Sequence, residues 1–95
     1  MHTFFIKSLT VDAESLIARA KNETIKAECK KVYEAVRYSD PMSNSALSSI
    51  ESEITITFAK LSEAVVDDNF ETVSEFTSEI IILLGDRNNK CKLLK

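Results

Sequence analysis

The chain has one proline (Pro41), one glycine (Gly85), one histidine (His2), two cysteines and no tryptophan in 95 residues. Average usage would supply about seven glycines and about five prolines. Those two residues provide the backbone angles that tight turns need. Their scarcity excludes a turn-rich sandwich or barrel and predicts few, long helices. A single glycine also excludes a backbone cradle for a nucleotide, and the sequence holds no GxSxG, HExxH or CxxC. His2 stands at the N-terminus without a residue beside it that would make a catalytic pair. These absences argue against an enzyme and against a bound cofactor or metal.

Cys29 and Cys91 are too few for the disulfide framework of a small secreted domain and too far apart in sequence for a short metal-ligand pair. Cys29 falls among apolar helix positions and is expected to be shielded. Cys91 is flanked by Lys90 and Lys92, which predicts an open, more reactive thiol. Long hydrophobic runs are missing as well. The longest, Ile80 to Leu84, is far short of the ~20 residues that cross a bilayer. The apolar start, Phe4-Phe5-Ile6, has neither the length nor the cationic leader of a signal peptide. A cytoplasmic address is the expectation, with membrane contact only through this N-terminus or the basic C-terminal residues.

What the chain does contain is an ordinary globular balance, 44% hydrophobic and 28% charged, which suits one helical domain over 1–95. Its net charge of −3 conceals a partition. Residues 1–40 hold seven basic and six acidic side chains, residues 41–86 hold one base (Lys60) against nine acids, and residues 87–95 hold four bases and no acid. Such asymmetry speaks to partners rather than to fold.

Two boundaries punctuate the chain. Pro41 disfavours helical angles in the residue before it, so a helix ends near Tyr38 or Ser39. Ser43 is the natural N-cap of the next helix, with Met42 and Leu47 placed as a hydrophobic staple. From there apolar residues fall at 47, 50, 54, 58, 61 and 65, one helical stripe over roughly 43–65. The second boundary is Val66-Asp67-Asp68-Asn69, where Asp68 and Glu71 match a capping box. Phe70, Val73, Phe76 or Thr77, Ile80 and Leu84 form the stripe of a helix over roughly 69–84. Gly85 fits the left-handed residue after a helix, and Arg87 and Lys90 fit its negative end. Residues 86–95 then read as a basic tail.

The first forty residues are less regular. Thr10 fits the start of a helix carrying Leu9, Ala13, Leu16 and Ile17, leaving 1–8 as a flexible N-terminus. A second apolar run follows at Ile25, Cys29, Val32, Tyr33 and Val36. One helix from 10 to 38 would be about 44 Å long, against a diameter of about 32 Å for a compact domain of this size. Asn22 is a good N-cap, which favours a break there. The expected fold is an all-α antiparallel bundle of three or four helices, elongated if the break is absent.

Acidic clusters are the best candidates for a site. Glu71, Glu75 and Glu79 recur at i, i+4 on the side opposite Val73, Phe76 and Ile80, either as a solvated face or as a docking ridge. Tyr33, Tyr38, Phe58, Phe70 and Phe76 fall on helical stripes and are expected in the core, with no interleaved bases of the kind nucleic-acid stacking needs. Phe4 and Phe5 lie off any stripe, either packed back or left as a patch that drives association. Four charges in the tail are few for nucleic acid. Three functions fit: an interaction or regulatory domain that binds a protein or itself, an immunity- or inhibitor-type protein binding a basic target through the acidic middle, and a membrane-proximal domain of a longer protein.

Overall fold

A computed structural model describes residues 3–95, so His2 lies outside the described residues. Four α-helices make up the fold: α1 (Phe4–Arg19), α2 (Glu23–Arg37), α3 (Ser48–Val66) and α4 (Phe70–Leu94), with one 3-10 turn at Ser45–Leu47 ahead of α3. Consecutive helices run antiparallel and pack as two hairpins, α1 with α2 and α3 with α4. The hairpins meet mainly through α2 and α4, while α1 and α3 touch only sparsely. The molecule measures 40 × 19 × 16 Å. Its length comes from α4, because 25 residues at 1.5 Å each give about 37 Å.

The break at Asn22 forms as the residues dictate. Its side chain accepts from the Ile25 N–H at 2.9 Å, capping α2, and α1 ends in an extended residue at Ala20. The start of α1 differs from expectation. Phe4 opens the helix, and Thr10 sits in its middle, where its hydroxyl donates to the Ile6 carbonyl at 2.7 Å. Segment 4–8 is therefore helical: Ile6 and Leu9 extend the Ala13–Leu16 stripe backwards and are buried with it.

At the other boundaries the caps move by a residue or more. Asn44, not Ser43, caps the 3-10 turn by accepting from the Ala46 N–H at 2.8 Å, and Leu47 is then buried as the stripe requires. The α3–α4 turn is a Schellman motif: the Asp68 N–H donates to Val65 and the Asn69 N–H to Ala64, both at 3.1 Å. Asp68 supplies the left-handed residue, with φ of 57°. It therefore closes α3, and Asn69 opens α4 by accepting from the Thr72 N–H at 3.2 Å.

The core is one cluster in which Leu47, Ile50, Ile54, Phe58 and Leu61 of the α3 side meet Val73, Ile80 and Leu84 of α4 and the inner faces of α1 and α2. The aromatics are mostly not in it. Phe58 is buried, but Phe76 and Tyr33 only flank the cluster, and Tyr38 and Phe70 are exposed. Aliphatic β-branched and leucine side chains fill the narrow space between helices, and of the two residues that fit the α4 stripe, Phe76 and Thr77, it is Thr77 that is buried.

Gly85 does not end α4. The helix continues nine residues past it to Leu94, and a Cβ built there meets nothing within 4 Å. A helical glycine with open space costs about 0.5–1 kcal/mol relative to alanine. Gly85→Ala should raise stability by about that amount in urea unfolding. Ile54→Ala, at a site with no exposure, should lower it by about 2–5 kcal/mol.

Candidate functional site

Because α4 continues, its inward line runs Val73, Thr77, Ile80, Leu84, Arg87 and Cys91, at spacings of 4, 3, 4, 3 and 4. Arg87 thus enters the interior at 0% exposure. Its Nε donates to Glu51 Oε2 of α3 at 2.9 Å. Nη1 and Nη2 donate to the carbonyls of Asp40 and Met42, each at 2.8 Å. The Phe5 ring lies 5.5 Å from the guanidinium carbon, close enough for a cation–π contact. Glu51 is held in turn by the Ser43 hydroxyl at 2.8 and 2.9 Å.

The neighbours of Arg87 on α4 fasten the same loop. Asn88 accepts from the Asp40 N–H at 3.2 Å and donates to the Ser39 hydroxyl at 3.4 Å. The Cys91 thiol donates to the Met42 carbonyl at 3.6 Å. Lys95 pairs with the Asp40 carboxylate. That hydrogen bond is the main cause holding the Asp40 carboxyl below its usual range, with help from the Met42 N–H. The same pair raises the Lys95 ammonium. The proline-bearing loop has no helix to satisfy its peptide groups, and the last turns of α4 supply the partners.

This node is structural in character. A guanidinium with no exposure and with acceptors on all three nitrogens has no face left for a substrate. Cys91 is buried, and desolvation raises its thiol despite the lowering effect of Arg87. The expected open cysteine is therefore a correction: the lysines beside Cys91 project away while the helix turns its sulfur inward. Cys29 is buried as expected, pushed up to about 11 chiefly by burial and secondarily by Glu28. The basic segment is likewise no tail. Arg87 and Lys95 are engaged within the fold, and Lys90 and Lys92 remain exposed.

Glu71, Glu75 and Glu79 are all exposed on the outer face of α4, away from buried Val73 and Ile80. No ion pair among the described residues involves them, and no group of three metal-ligating side chains occurs there. Phe4 and Phe5 part company: Phe5 is half-buried over Arg87, whereas Phe4 is 78% exposed. Both line a cleft of about 260 Å³ between α1 and α3, together with Ser8, Asp12, Thr55 and Phe58. The cleft exists because these two helices barely touch. Val11 of α1 and Ile56 of α3 add further exposed apolar surface, at 64% and 58%.

No helix of the described residues is long and apolar enough to cross a membrane. No family model, curated protein or solved structure matches the chain.

Reading the sequence past Gly85 would have found Arg87, since it is the one charged residue on a line of otherwise uncharged side chains. Removing it strands Glu51 and two loop carbonyls. Arg87→Met, which keeps the volume, should therefore cost about 3–5 kcal/mol in chemical unfolding. Both thiols should react slowly with an aromatic disulfide in the native protein near neutral pH, because the raised values leave little thiolate. One fast site would contradict the burial of Cys91.

Proposed function

We propose that the chain is a non-enzymatic helical interaction domain that works through the outer side of α1 and the cleft beside α3. The observation that carries this reading is the exposure of Phe4 at the mouth of that cleft, with Val11 further along α1 and Ile56 on α3 exposed as well. Other large apolar side chains, among them Tyr38, Ile82 and Leu93, are exposed elsewhere on the molecule. Phe4 differs in lining an open cleft whose walls include Phe5, Leu9 and Phe58, and exposed apolar surface joined to a cleft marks a contact surface. The interior polar node supports the same reading from the other direction, because its donors are consumed by the fold and are not presented to a ligand.

A second reading has its own support. Glu71, Glu75 and Glu79 stand exposed along α4, in a region of nine acids and one base, and a basic protein would find complementary charge there. Capture from the native host separates the two, using wild type beside two variants. Phe4→Ser/Val11→Ser removes apolar contact at exposed sites, and Glu71→Gln/Glu75→Gln/Glu79→Gln removes the ridge; neither should disturb the fold. The first pair should lose the bound partner while the triple variant keeps it. Loss only with the triple variant would transfer the function to the acidic face. Retention by both would contradict each reading.

A further inference from the structure

We infer that the outer face of α1 is a seam for a second copy of this chain, the two α1 helices lying parallel and in register. This rests on the contact surface just proposed and names its partner. The residues facing away from the core are Phe4, Ser8, Val11, Ser15 and Ala18, at spacings of 4, 3, 4 and 3. That is the 3.5-residue repeat of a two-helix seam, on the side opposite buried Ile6, Leu9, Ala13 and Leu16. Val11, Ser15 and Ala18 are exposed, Phe4 the more so, and Ser8 is half-buried. The serines and alanine are small enough for the two axes to approach closely.

The flanking charges select the partner and its direction. Lys7 and Glu14 border one side of the seam, and Asp12 and Arg19 the other; all four are exposed, and no ion pair among the described residues uses them. In a parallel pair, a residue on the first border faces the residue five positions later on the second border of the other helix. Lys7 then meets Asp12 of the second copy, and Glu14 meets Arg19 of the second copy. Two-fold symmetry repeats both, so four opposite-charge pairs flank the seam. An antiparallel pair centred on Val11 would keep only two opposite-charge pairs, Lys7 with Glu14 of the second copy and its symmetry mate, and would bring Asp12 against Asp12 of the second copy. The outer line of α4, by comparison, carries Glu71, Glu75, Ile82, Asp86, Asn89 and Leu93, so its two large apolar residues are separated by an acid and an amide, and three acids lie on the line itself.

One 16-residue helix on each side makes an interface at the small end of the specific range, so association is weak and concentration-dependent. Sedimentation equilibrium of the full chain from micromolar to millimolar concentration is the experiment. The mass should rise toward twice that of the monomer. Val11→Glu, at a solvent-facing site, should keep the helical circular dichroism and unfolding midpoint but weaken the dimer by about tenfold or more. Lys7→Glu should weaken it several-fold, and Lys7→Glu/Asp12→Lys should restore it, because the parallel cross-pair is rebuilt with its signs exchanged. A monomer at every concentration, or a dimer indifferent to Val11→Glu, would overturn the inference. Failure of the double reversal to rescue a weakened dimer would overturn the parallel register. A monomeric chain whose captured host partner is lost on Phe4→Ser/Val11→Ser would leave the contact surface standing with a different occupant.

Discussion

The guanidinium of Arg87 gathers acceptors from the α2–α3 loop and from α3 while standing on α4 and under the first turn of α1. Taking such a charge out of water costs several kcal/mol, and the fold offsets this only by meeting all three nitrogens and pairing the charge with Glu51. Each element around it is placed by that requirement. The loop at Pro41 must turn two carbonyls inward, α3 must begin early enough to present Glu51, and α4 must persist past Gly85. Ser43 then has a defined task, because the carboxylate it holds is the counter-charge of the node.

The opposite end of the bundle is tied by lighter means. Lys21 donates to the Val66 carbonyl at 3.1 Å and Asn22 to Asp68 at 2.8 Å, both at exposed sites where water competes. Between these two ends the hairpins are joined through α2 and α4, which leaves α1 and α3 parted on the other side. The open cleft and the exposed outer face of α1 follow from this asymmetry. The buried arginine closes one end of the bundle with polar contacts, while the cleft between α1 and α3 stays open and is lined mainly by apolar side chains.

Much of this was legible in the sequence where one periodicity runs undisturbed. The α3 stripe from Leu47 to Val65, the break capped by Asn22 and the burial of Cys29 follow from spacing and capping chemistry alone. The end of α4 was not legible, because Gly85 followed by bases imitates a helix C-terminus so closely. Helical hydrogen bonding and the burial of Cys91 outweigh that local signal, and the reason becomes visible only when the loop carbonyls are in place. Arg87 is hidden from the sequence for the same cause: a lone arginine near a helix end is usually solvated, and its acceptors lie 36 to 47 residues away in sequence. The start of α1 was missed because Phe4 and Phe5 straddle two faces, one inward toward Arg87 and one outward along the Phe4–Ala18 line.

The central claim is that Arg87 makes the last turns of α4 part of the cooperative core. Amide hydrogen exchange of the native protein tests it most directly. If the claim holds, the amides from Arg87 to Cys91 exchange only through global unfolding, with the same protection as those of Ile80 and Leu84. Exchange of that segment at the rate of a frayed helix end, while Ile80 stays protected, would show that the arginine is a surface residue of a basic tail and would contradict the account.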